Sequence, residues 1–159
     1  FQYNFLNLDS FNKDSYLLYF CAMSRLLAID YGRKRVGIAV TDTEQLIASG
    51  LTTVHSSEIF EFLKAYLAKE EVSCFVVGQA KRLDNKPSES ARYIEPFVQK
   101  LSRLFPHIII ERIDERFTSK MAFQSMIDAG LNKKARRNKA LVDQISATII
   151  LQSFLDART

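Results

Sequence analysis

The stretch RLLAIDYGRKRVGIAVTD, residues 25–42, decides the fold of this chain. Its first seven residues form a short apolar run that ends in a carboxylate, Asp30, followed closely by Gly32, a pattern typical of a strand and a turn. Residues 36–41 form a second apolar run. The two runs therefore predict an antiparallel hairpin. The loop of this hairpin carries three cations: Arg33, Lys34 and Arg35.

Further strands and a helix are predicted downstream of the hairpin. Residues 46–54 predict a third strand, broken at Ser49–Gly50. A helix is predicted next, with Ser56 or Ser57 as its N-cap. Residues 72–77 form a continuous apolar run, which is typical of a central strand covered on both faces. The predicted helix that precedes this strand has the spacing of one buried face, formed by Ile59, Phe62, Leu63, Tyr66 and Leu67.

The second half of the chain predicts three helices and one strand. Residues 88–105 keep helical spacing, and Pro96 is expected to kink this helix or to delay its start. Residues 108–113 predict the fifth strand, which leads into Asp114. Thr118 is expected to cap a helix that reaches residue 129, with Gly130 at its C-terminal end. Residues 140–155 predict the last helix.

The predicted order βββαβαβαα differs from the Rossmann and flavodoxin orders. It matches the ribonuclease H-like architecture, an α/β fold in which a mixed five-stranded sheet has its first strand in the centre and helices on both faces. We assign residues 23–157 to this single domain, which is long enough to bury one core. Residues 1–22, rich in Phe, Tyr and Asn, are predicted to be an N-terminal extension outside the core. The alternative is an arm that packs on the domain.

Composition excludes several other classes of protein. The two cysteines, Cys21 and Cys74, form no CxxC pair and have no histidine at a metal-binding spacing, so neither a zinc site nor a disulfide framework is expected. This cysteine usage fits the reducing cytoplasm. The apolar run at residues 16–23 is too short to span a bilayer, and no membrane partner is expected. His55 and His107 lack partner residues and are interpreted as surface residues.

Acidic residues follow strands that are expected to be parallel neighbours. Asp30 ends the first strand, Gly78 the fourth and Asp114 the fifth. Because parallel strands present their carboxyl ends at one edge of a sheet, these residues are expected at the same edge, where α/β sheets bind ligands. Asp42 ends the antiparallel second strand and is therefore expected at the opposite edge.

A further carboxylate, Asp143, is predicted in the first turn of the last helix. It aligns with Ala147, Ile150 and Phe154 on the helix face that is expected to pack on the sheet. An acid at the end of a buried stripe is costly unless it is paired or metal-bound, and a helix N-terminus favours its negative charge. We therefore expect Asp143 to reach the sheet edge of the strand-end acids.

These acids form the candidate catalytic and metal-binding site. It comprises Asp30, Asp114, Glu115 and Asp143, and either member of the Asp114–Glu115 pair can be the ligand. Oxygen ligands without His or Cys indicate Mg²⁺ or Mn²⁺. A carboxylate cluster in a basic chain is typical of a two-metal site that acts on a phosphodiester. The alternative for each acid taken singly is a cap or a surface salt bridge.

Cations are predicted around the same edge, although the net charge of the chain is only +4. Such a surface suits a phosphate backbone. The alternative for the cations at residues 133–139 is a solvated loop. Since few exposed aromatic residues are expected beside them, base stacking is expected to be secondary. The candidate nucleic-acid-binding residues are Arg33, Lys34, Arg35, Lys81, Arg82, Arg116, Lys133, Lys134, Arg136, Arg137 and Lys139.

Four motifs of this chain resemble the YqgF family of small bacterial ribonuclease H-like proteins. They are LLAIDYGRKRVGIAVTD (residues 26–42), VVGQAKRLDNKPSE (76–89), DERFTS (114–119) and LVDQISATIIL (141–151). The resemblance implies that Asp30, an acid of the DER motif and Asp143 are catalytic metal ligands. The chain departs from the family pattern at Gln79–Ala80, where Leu-Pro is usual, and at Asp84–Asn85, where Asp-Gly is usual. The substrate contacts of this loop are therefore expected to differ.

The resemblance also implies a nuclease that processes structured RNA. The expected reaction is metal-dependent hydrolysis of phosphodiester bonds at the 5′ end of a 16S rRNA precursor in ribosome biogenesis, with Lys81 or Arg116 stabilising charge on the scissile phosphate. One alternative is a resolvase of four-way DNA (Holliday) junctions, which needs a dimer with two sites. Another is a ribosome-assembly binding protein without catalysis. The expected oligomeric state is a monomer or a weak dimer.

Overall fold

The computed structural model of the chain describes residues 24–79, 90–114 and 118–158, except for the side chains at positions 114, 118 and 119. The described strands are β1 (Arg25–Tyr31), β2 (Arg35–Thr41), β3 (Ala48–His55), β4 (Val72–Gln79) and β5 (Ile109–Asp114). The described helices are α1 (Ile59–Leu67), α2 (Ala91–Leu104), α3 (Thr118–Asp128), α4 (Lys133–Arg136) and α5 (Lys139–Asp156). The N-terminal extension at residues 1–22 lies outside the described residues, and its separation from the core stays a prediction.

One mixed sheet contains these strands in the order β3-β2-β1-β4-β5. The β1–β2 and β2–β3 pairs are antiparallel, whereas the β1–β4 and β4–β5 pairs are parallel. β1 is therefore central, and helices pack on both faces of the sheet. This is the sheet that the sequence predicts, with its first strand in the centre.

Strand alternation sorts the side chains of β1 between the two faces of the sheet. Leu27 and Ile29 are fully buried on the face covered by α1 and α2. Leu26 and Ala28 are buried on the opposite face, in the cluster that contains α5. Because both faces are covered, the strand reads as one continuous apolar run rather than as an alternating one.

The face covered by α1 and α2 carries the larger core. Tyr31, the last residue of β1, stacks on Phe97 of α2 with the ring centroids 4.1 Å apart. Burial raises the pKa of the Tyr31 hydroxyl. The stack fixes the end of β1 against α2, and with it the position of the neighbouring Asp30. The buried helical residues of this core are Ile59, Leu63, Ile94, Phe97 and Leu101.

The opposite face is lined with small residues, which allow α5 to approach the sheet closely. Ala28 of β1 and Ala39 of β2 are fully buried in one cluster with Ala147 of α5. Ile150 of α5 and Cys74 of β4 belong to the same cluster, and Phe154 packs against it. The row of α5 residues predicted to face the sheet is therefore confirmed.

The third strand carries the break that the sequence predicts near Ser49–Gly50. The register between β2 and β3 shifts between Ile38, which pairs with Thr52, and Ala39, which pairs with Gly50. The intervening residue of β3 is therefore bulged. The strand also begins later than predicted, at Ala48, because the two residues before it belong to the turn that follows β2.

The start of α1 differs from the prediction. Its N-cap is Glu58, and the Glu58 side chain makes no capping hydrogen bond. The Ser56 hydroxyl donates instead to the carbonyl of Arg33 at 2.9 Å, and Ser57 shares a hydrogen bond with His55. Ser56 therefore ties the start of α1 to the β1–β2 loop, a long-range contact that helical spacing cannot show.

The ends of α2 and α3 agree with the sequence. α2 begins at Ala91, later than predicted, and contains Pro96 as its sixth residue, so the proline does not set the start of the helix. At the end of α3, Gly130 has a φ of 71° and donates its N–H to the Ile127 carbonyl at 2.9 Å. Leu131 donates to the Met126 carbonyl at 3.0 Å, which completes a Schellman motif. α3 begins at Thr118, whose predicted capping side chain lies outside the described atoms.

Two surface expectations can be compared with the structure. His55 and His107 are both exposed, as predicted. In the described segments 24–79, 90–114 and 118–158, no helix combines the length and the apolar character that crossing a bilayer requires.

Candidate active site

Asp30 and Asp114 lie at the same edge of the sheet. Asp30, the residue before the last of β1, pairs with Gly37 of β2. Asp114 is the last residue of β5 and pairs with Gln79, the last residue of β4. Since β1, β4 and β5 run parallel, their carboxyl ends form one edge, and both acids belong to it.

Gly37 brings Asp143 to this edge. A Cβ atom at Gly37 would overlap the backbone carbonyl group of Asp143. Only a residue without a side chain leaves room here, so the backbone of α5 rests directly on β2. Because Gly37 is also the cross-strand partner of Asp30, both acids lie next to the same glycine. The structure thus brings Asp30 and Asp143 together.

Two further contacts fix the start of α5 on the sheet. Thr53 of β3 donates its hydroxyl hydrogen bond to the Ala140 carbonyl at 2.7 Å. The side chain of Gln144 lies over Gly50 of β3, where a Cβ atom would come within 2.8 Å of its Cγ. These contacts hold α5 just before and just after Asp143, so the carboxylate has a fixed place relative to β1 and β2.

The Asp143 carboxylate is paired with Arg35, the first residue of β2. Nε of Arg35 donates to Oδ2 of Asp143 at 2.7 Å, with the two side chains 37% and 26% exposed. The sequence predicts Arg35 as a contact to nucleic acid, but the structure places its guanidinium on a candidate metal ligand. The two residues are 108 positions apart, and no spacing rule could have paired them.

The place of Asp143 within its helix differs from the prediction. α5 begins at Lys139, so Asp143 is its fifth residue, and the first turn contains no acid. Asn138 caps the helix by accepting two backbone N–H bonds, at 3.1 and 3.4 Å. The field of a helix N-terminus falls off within the first turn. The charge that stabilises Asp143 is therefore Arg35 and not the helix end.

Several predicted site residues cannot be placed by the structure. Among the side chains that are described, no group of three or more His, Cys, Asp or Glu residues could hold a metal ion. The described part of the candidate site is the pair of Asp30 and Asp143. The residues that lie outside the described segments are Lys81, Arg82, Glu115 and Arg116, and the side chain of Asp114 lies outside them too.

Cations surround the β1–β2 loop. Arg33 and Lys34 are exposed. The guanidinium carbon of Arg33 lies 6.0 Å from the ring centroid of Tyr93 in α2, and that of Arg92 lies 5.1 Å from it. The sequence does not indicate Arg92, because helical spacing does not show that the start of α2 lies beside this loop. Arg92 thus adds a third exposed cation to Arg33 and Lys34 around this loop.

The basic segment, residues 133–139, contains a capped helical turn. α4 occupies the first four of these residues, and the Asn132 side chain caps it by accepting from the Ala135 N–H at 2.9 Å. The hydropathy pattern of the sequence does not predict this helix. The cap orders the backbone that carries these cations, whereas the contact of the cations with nucleic acid stays a prediction. Lys133, Lys134, Arg137 and Lys139 are exposed, and Arg136 is half-buried.

An exposed aromatic ring, which the sequence does not single out, accompanies the basic segment. Phe123 of α3 is 47% exposed. The guanidinium carbon of Arg136 lies 5.7 Å from its ring centroid. Helical spacing could have indicated this exposure, because Ala122 and Met126 form the buried side of α3 and leave Phe123 on its flank.

Asp42 lies at the opposite edge of the sheet, as predicted. Its Oδ1 accepts hydrogen bonds from the backbone N–H groups of Leu46 at 2.7 Å and Ile47 at 3.0 Å. The bonds from Ile47 and Leu46 lower the pKa of the Asp42 carboxyl. Asp42 therefore acts as the cap of the β2–β3 turn.

Comparison with protein families identifies the group to which the chain is related. The model of the RuvX family, described as Holliday junction resolvase, matches residues 24–157. The chain belongs to the RuvX family. The resemblance to the YqgF family, drawn from four motifs of the sequence, is thereby confirmed.

Two bacterial relatives support the same assignment. A protein of Flavobacterium psychrophilum is 59% identical over 133 residues, which are 84% of this chain and 97% of the relative. A protein of Bacteroides thetaiotaomicron is 56% identical over 136 residues, which are 86% of this chain and 99% of the relative. Both carry the name "Putative pre-16S rRNA nuclease". The assignment of this RuvX-family chain to the nucleases, hydrolases of phosphodiester bonds, is thereby confirmed.

A solved structure with the same fold is that of T. thermophilus RuvC in complex with Holliday junction substrate. It superimposes with a TM-score of 0.52 at 16% sequence identity and covers 85% of this chain and 95% of the RuvC chain. At this identity the similarity concerns the fold alone. It confirms the predicted ribonuclease H-like α/β class.

Proposed function

We propose that this RuvX-family chain is a metal-dependent nuclease of structured RNA that matures the 5′ end of a 16S rRNA precursor in ribosome biogenesis. The observation that carries the proposal is the meeting of Asp30 and Asp143 beside Gly37. The names of the relatives support RNA as the substrate. The proposal includes a cytoplasmic location, which fits the cysteine usage of the sequence.

We propose that Asp30, Asp143 and one acid of the Asp114–Glu115 pair hold Mg²⁺ or Mn²⁺. The described donors fit such an ion, because carboxylate oxygens are the ligands that these hard cations prefer. Two neighbouring carboxylates also repel each other unless a cation lies between or beside them. When bound, the metal ions supply an activated water for in-line attack on phosphorus and stabilise the leaving oxygen.

The residues of the chain itself prepare this site and hold the substrate. Arg35 orients the Asp143 carboxylate through Oδ2. The cations of the β1–β2 loop and of the basic segment bind phosphates of the backbone, which positions the strand without reading its sequence. We also propose that Lys81 or Arg116 stabilises the charge that develops on the scissile phosphate.

A second candidate function is the resolution of four-way DNA junctions. The description of the family and the fold shared with a junction-bound RuvC support it. This activity needs two copies that each present one site to the junction. The monomer or weak dimer that we propose for this chain suits a single RNA end better.

One experiment separates these functions. The purified protein is incubated with a 16S precursor 5′ end and with a synthetic four-way DNA junction, in Mg²⁺, in Mn²⁺ and in EDTA. We expect metal-dependent cleavage of the RNA at a defined position and little cleavage of the junction. Preferential, paired cuts in the junction would establish the resolvase instead. Binding of the precursor without cleavage in any metal would indicate an assembly factor.

A further inference from the structure

A half-buried cation and an exposed aromatic ring meet between α3 and α4. The guanidinium of Arg136 lies over the ring of Phe123, 5.7 Å from its centroid. The Nε atom of Arg136 is buried and finds no hydrogen-bond partner within the described segments. The ring of Phe123 is 47% exposed, so part of it remains open to a ligand. A surface that joins an exposed ring to a cation suits a ligand that has both a flat face and a negative charge.

The apolar part of this surface extends along α3. Ile127 follows Phe123 by four residues and is 40% exposed, so the two side chains are neighbours on one flank of the helix. We call Phe123, Ile127 and Arg136 the α3–α4 patch. The nearest acid in sequence, Asp128, accepts a hydrogen bond from Gln124 at 2.8 Å. Residues 129–142 contain no acid, so nothing in this stretch neutralises the cations beside the patch.

We propose that the α3–α4 patch binds an unpaired base of a single-stranded nucleic acid whose phosphates contact the basic segment. Bases of single strands stack on aromatic rings and on the planes of arginine guanidinium groups, and Phe123 and Arg136 present both. The exposed cations of residues 133–139 adjoin the patch, and a backbone that follows them carries its bases past Phe123. An acidic or apolar protein segment would match only one of these two features.

The patch has a consequence for the choice of substrate. An RNA precursor end offers unpaired nucleotides beside its helices, whereas the paired arms of a four-way junction do not. Binding at the patch therefore favours substrates that combine a cleavage site with a single-stranded tail. The inference rests on the proposed nucleic-acid substrate, but it does not depend on cleavage and is tested by binding alone.

The test measures affinity by fluorescence anisotropy in EDTA. The probes are a labelled single-stranded RNA of about 12 nucleotides and the duplex of the same sequence. We expect Phe123→Ala to weaken binding of the single strand by roughly 5- to 150-fold, the loss associated with one base–aromatic stack. Affinity for the duplex is expected to stay unchanged, and Phe123→Trp is expected to retain single-strand binding.

Matched controls come from the same elements. Met121 is 51% exposed on α3, and two helical positions place it on a different flank from Phe123. Met121→Ala is therefore expected to bind both probes as the wild type does. Arg137 is the exposed neighbour of Arg136. Arg137→Ala should weaken both probes and lower the salt slope by about one unit, whereas Arg136→Ala should also remove the preference for the single strand.

A base analogue gives a second measurement. The fluorescence of 2-aminopurine in the single strand should be quenched on binding to the wild type and to Met121→Ala, but not on binding to Phe123→Ala. The proposal is wrong if Phe123→Ala binds the single strand as tightly as the wild type, or if it loses affinity for both probes equally. If the wild type binds neither probe, the proposed function itself fails. Melting temperatures establish that all variants are folded.

Discussion

The polar side chains at the two ends of the central strand, β1, have different kinds of partner. At the amino end, Arg25 donates to Glu70 and to the Thr41 carbonyl, each at 2.8 Å. The carboxylate of Asp42, beside them, accepts two backbone N–H bonds. At the carboxyl end, by contrast, Asp30 and Asp143 lie next to the same glycine, and Arg35 donates to the Asp143 carboxylate. At the first end, Glu70 is held by a guanidinium and Asp42 by backbone N–H groups, whereas the second end brings two carboxylates next to one glycine.

This difference separates structural acids from candidate functional ones. An acid whose oxygens accept backbone N–H groups lowers the free energy of the fold, and its role ends there. Two neighbouring acids repel each other unless a cation lies near them, and such clusters are typical of sites where a metal ion or a reaction uses them. The direction of a strand thus decides which acid of the β1–β2 hairpin can be catalytic.

The largest difference between the two ends of β1 is expected when one acid at each end is replaced by its amide. Asp30→Asn and Asp143→Asn are expected to reduce cleavage by more than about 100-fold, because a direct metal ligand should matter more than the outer partners whose loss costs 10- to 100-fold. Asp42→Asn is the control and should cleave as the wild type does. Initial cleavage rates and melting temperatures are measured together. Wild-type turnover by Asp30→Asn or Asp143→Asn would remove these acids from the mechanism.

Gly37→Ala should break the carboxyl end without changing any acid. The added Cβ overlaps the Asp143 carbonyl, and overpacking of this kind typically costs about 1–3 kcal/mol. A shift of Asp143 by about 1 Å would lower the rate roughly 100-fold. Gly130→Ala is the matched control, because no atom lies within 4 Å of its Cβ. Its left-handed backbone should cost about 1–2 kcal/mol of stability with cleavage unchanged, and equal cleavage by both variants would contradict the prediction.

A pair of arginine substitutions compares the two ends directly. Arg25 and Arg35 each donate from Nε to a carboxylate, at 2.8 and 2.7 Å. Because the pairs are partly exposed, Arg25→Gln and Arg35→Gln should each lower the free energy of unfolding by only about 0.2–1 kcal/mol. Arg35→Gln should in addition weaken metal binding and cleavage by about 10-fold or more, since Asp143 loses its orienting donor. Calorimetric Mn²⁺ titration of both variants measures this; equal metal affinity would make Arg35 purely structural.

The smallest effect is expected at the Asp42 cap. Hydrogen bonds lower the pKa of this carboxyl in the folded state from its ordinary value of 3.8. Asp42 therefore contributes stability above that value, and the contribution is lost as the pH falls through the folded-state pKa. Asp42→Ala should melt slightly lower than the wild type at neutral pH, and the difference should shrink in acid. A constant difference across the acid range would show that the side chain acts without its charge.

The sheet could be read from the sequence because its rules are local. The apolar run from Arg25 to Tyr31 predicts the bounds of β1, and the order of the elements predicts β1 in the centre. The parallel and antiparallel directions then assign Asp30 and Asp42 to opposite edges. Gly130 predicts the end of α3 for an equally local reason, since a left-handed residue there favours glycine.

The contacts that complete the site depend on side chains from distant parts of the chain. The packing of α5 on the sheet brings Arg35 to Asp143, and the packing of α3 against α4 brings Phe123 to Arg136. Hydrophobic periodicity does not encode either contact. The last helix begins one residue before the predicted residue 140, and its cap, Asn138, is not evident from the sequence because it lies within a run of cations. A rule based on hydropathy assigns such a run of cations to a solvated loop.

Because Cys74 lies beneath α5, its reaction with a thiol reagent can be used to detect the separation of α5 from the sheet. The thiol lies on β4 in the cluster with Ala147 and Ile150, and only 7% of the residue is exposed. A thiol reagent is expected to reach it when α5 separates from the sheet, so the labelling rate at high reagent concentration reports how often the helix detaches. Because Asp143 lies on the same helix, each detachment also parts the two acids. In a Cys21→Ser variant, Cys74 is the one remaining thiol, so its labelling rate would report how long Asp30 and Asp143 stay together.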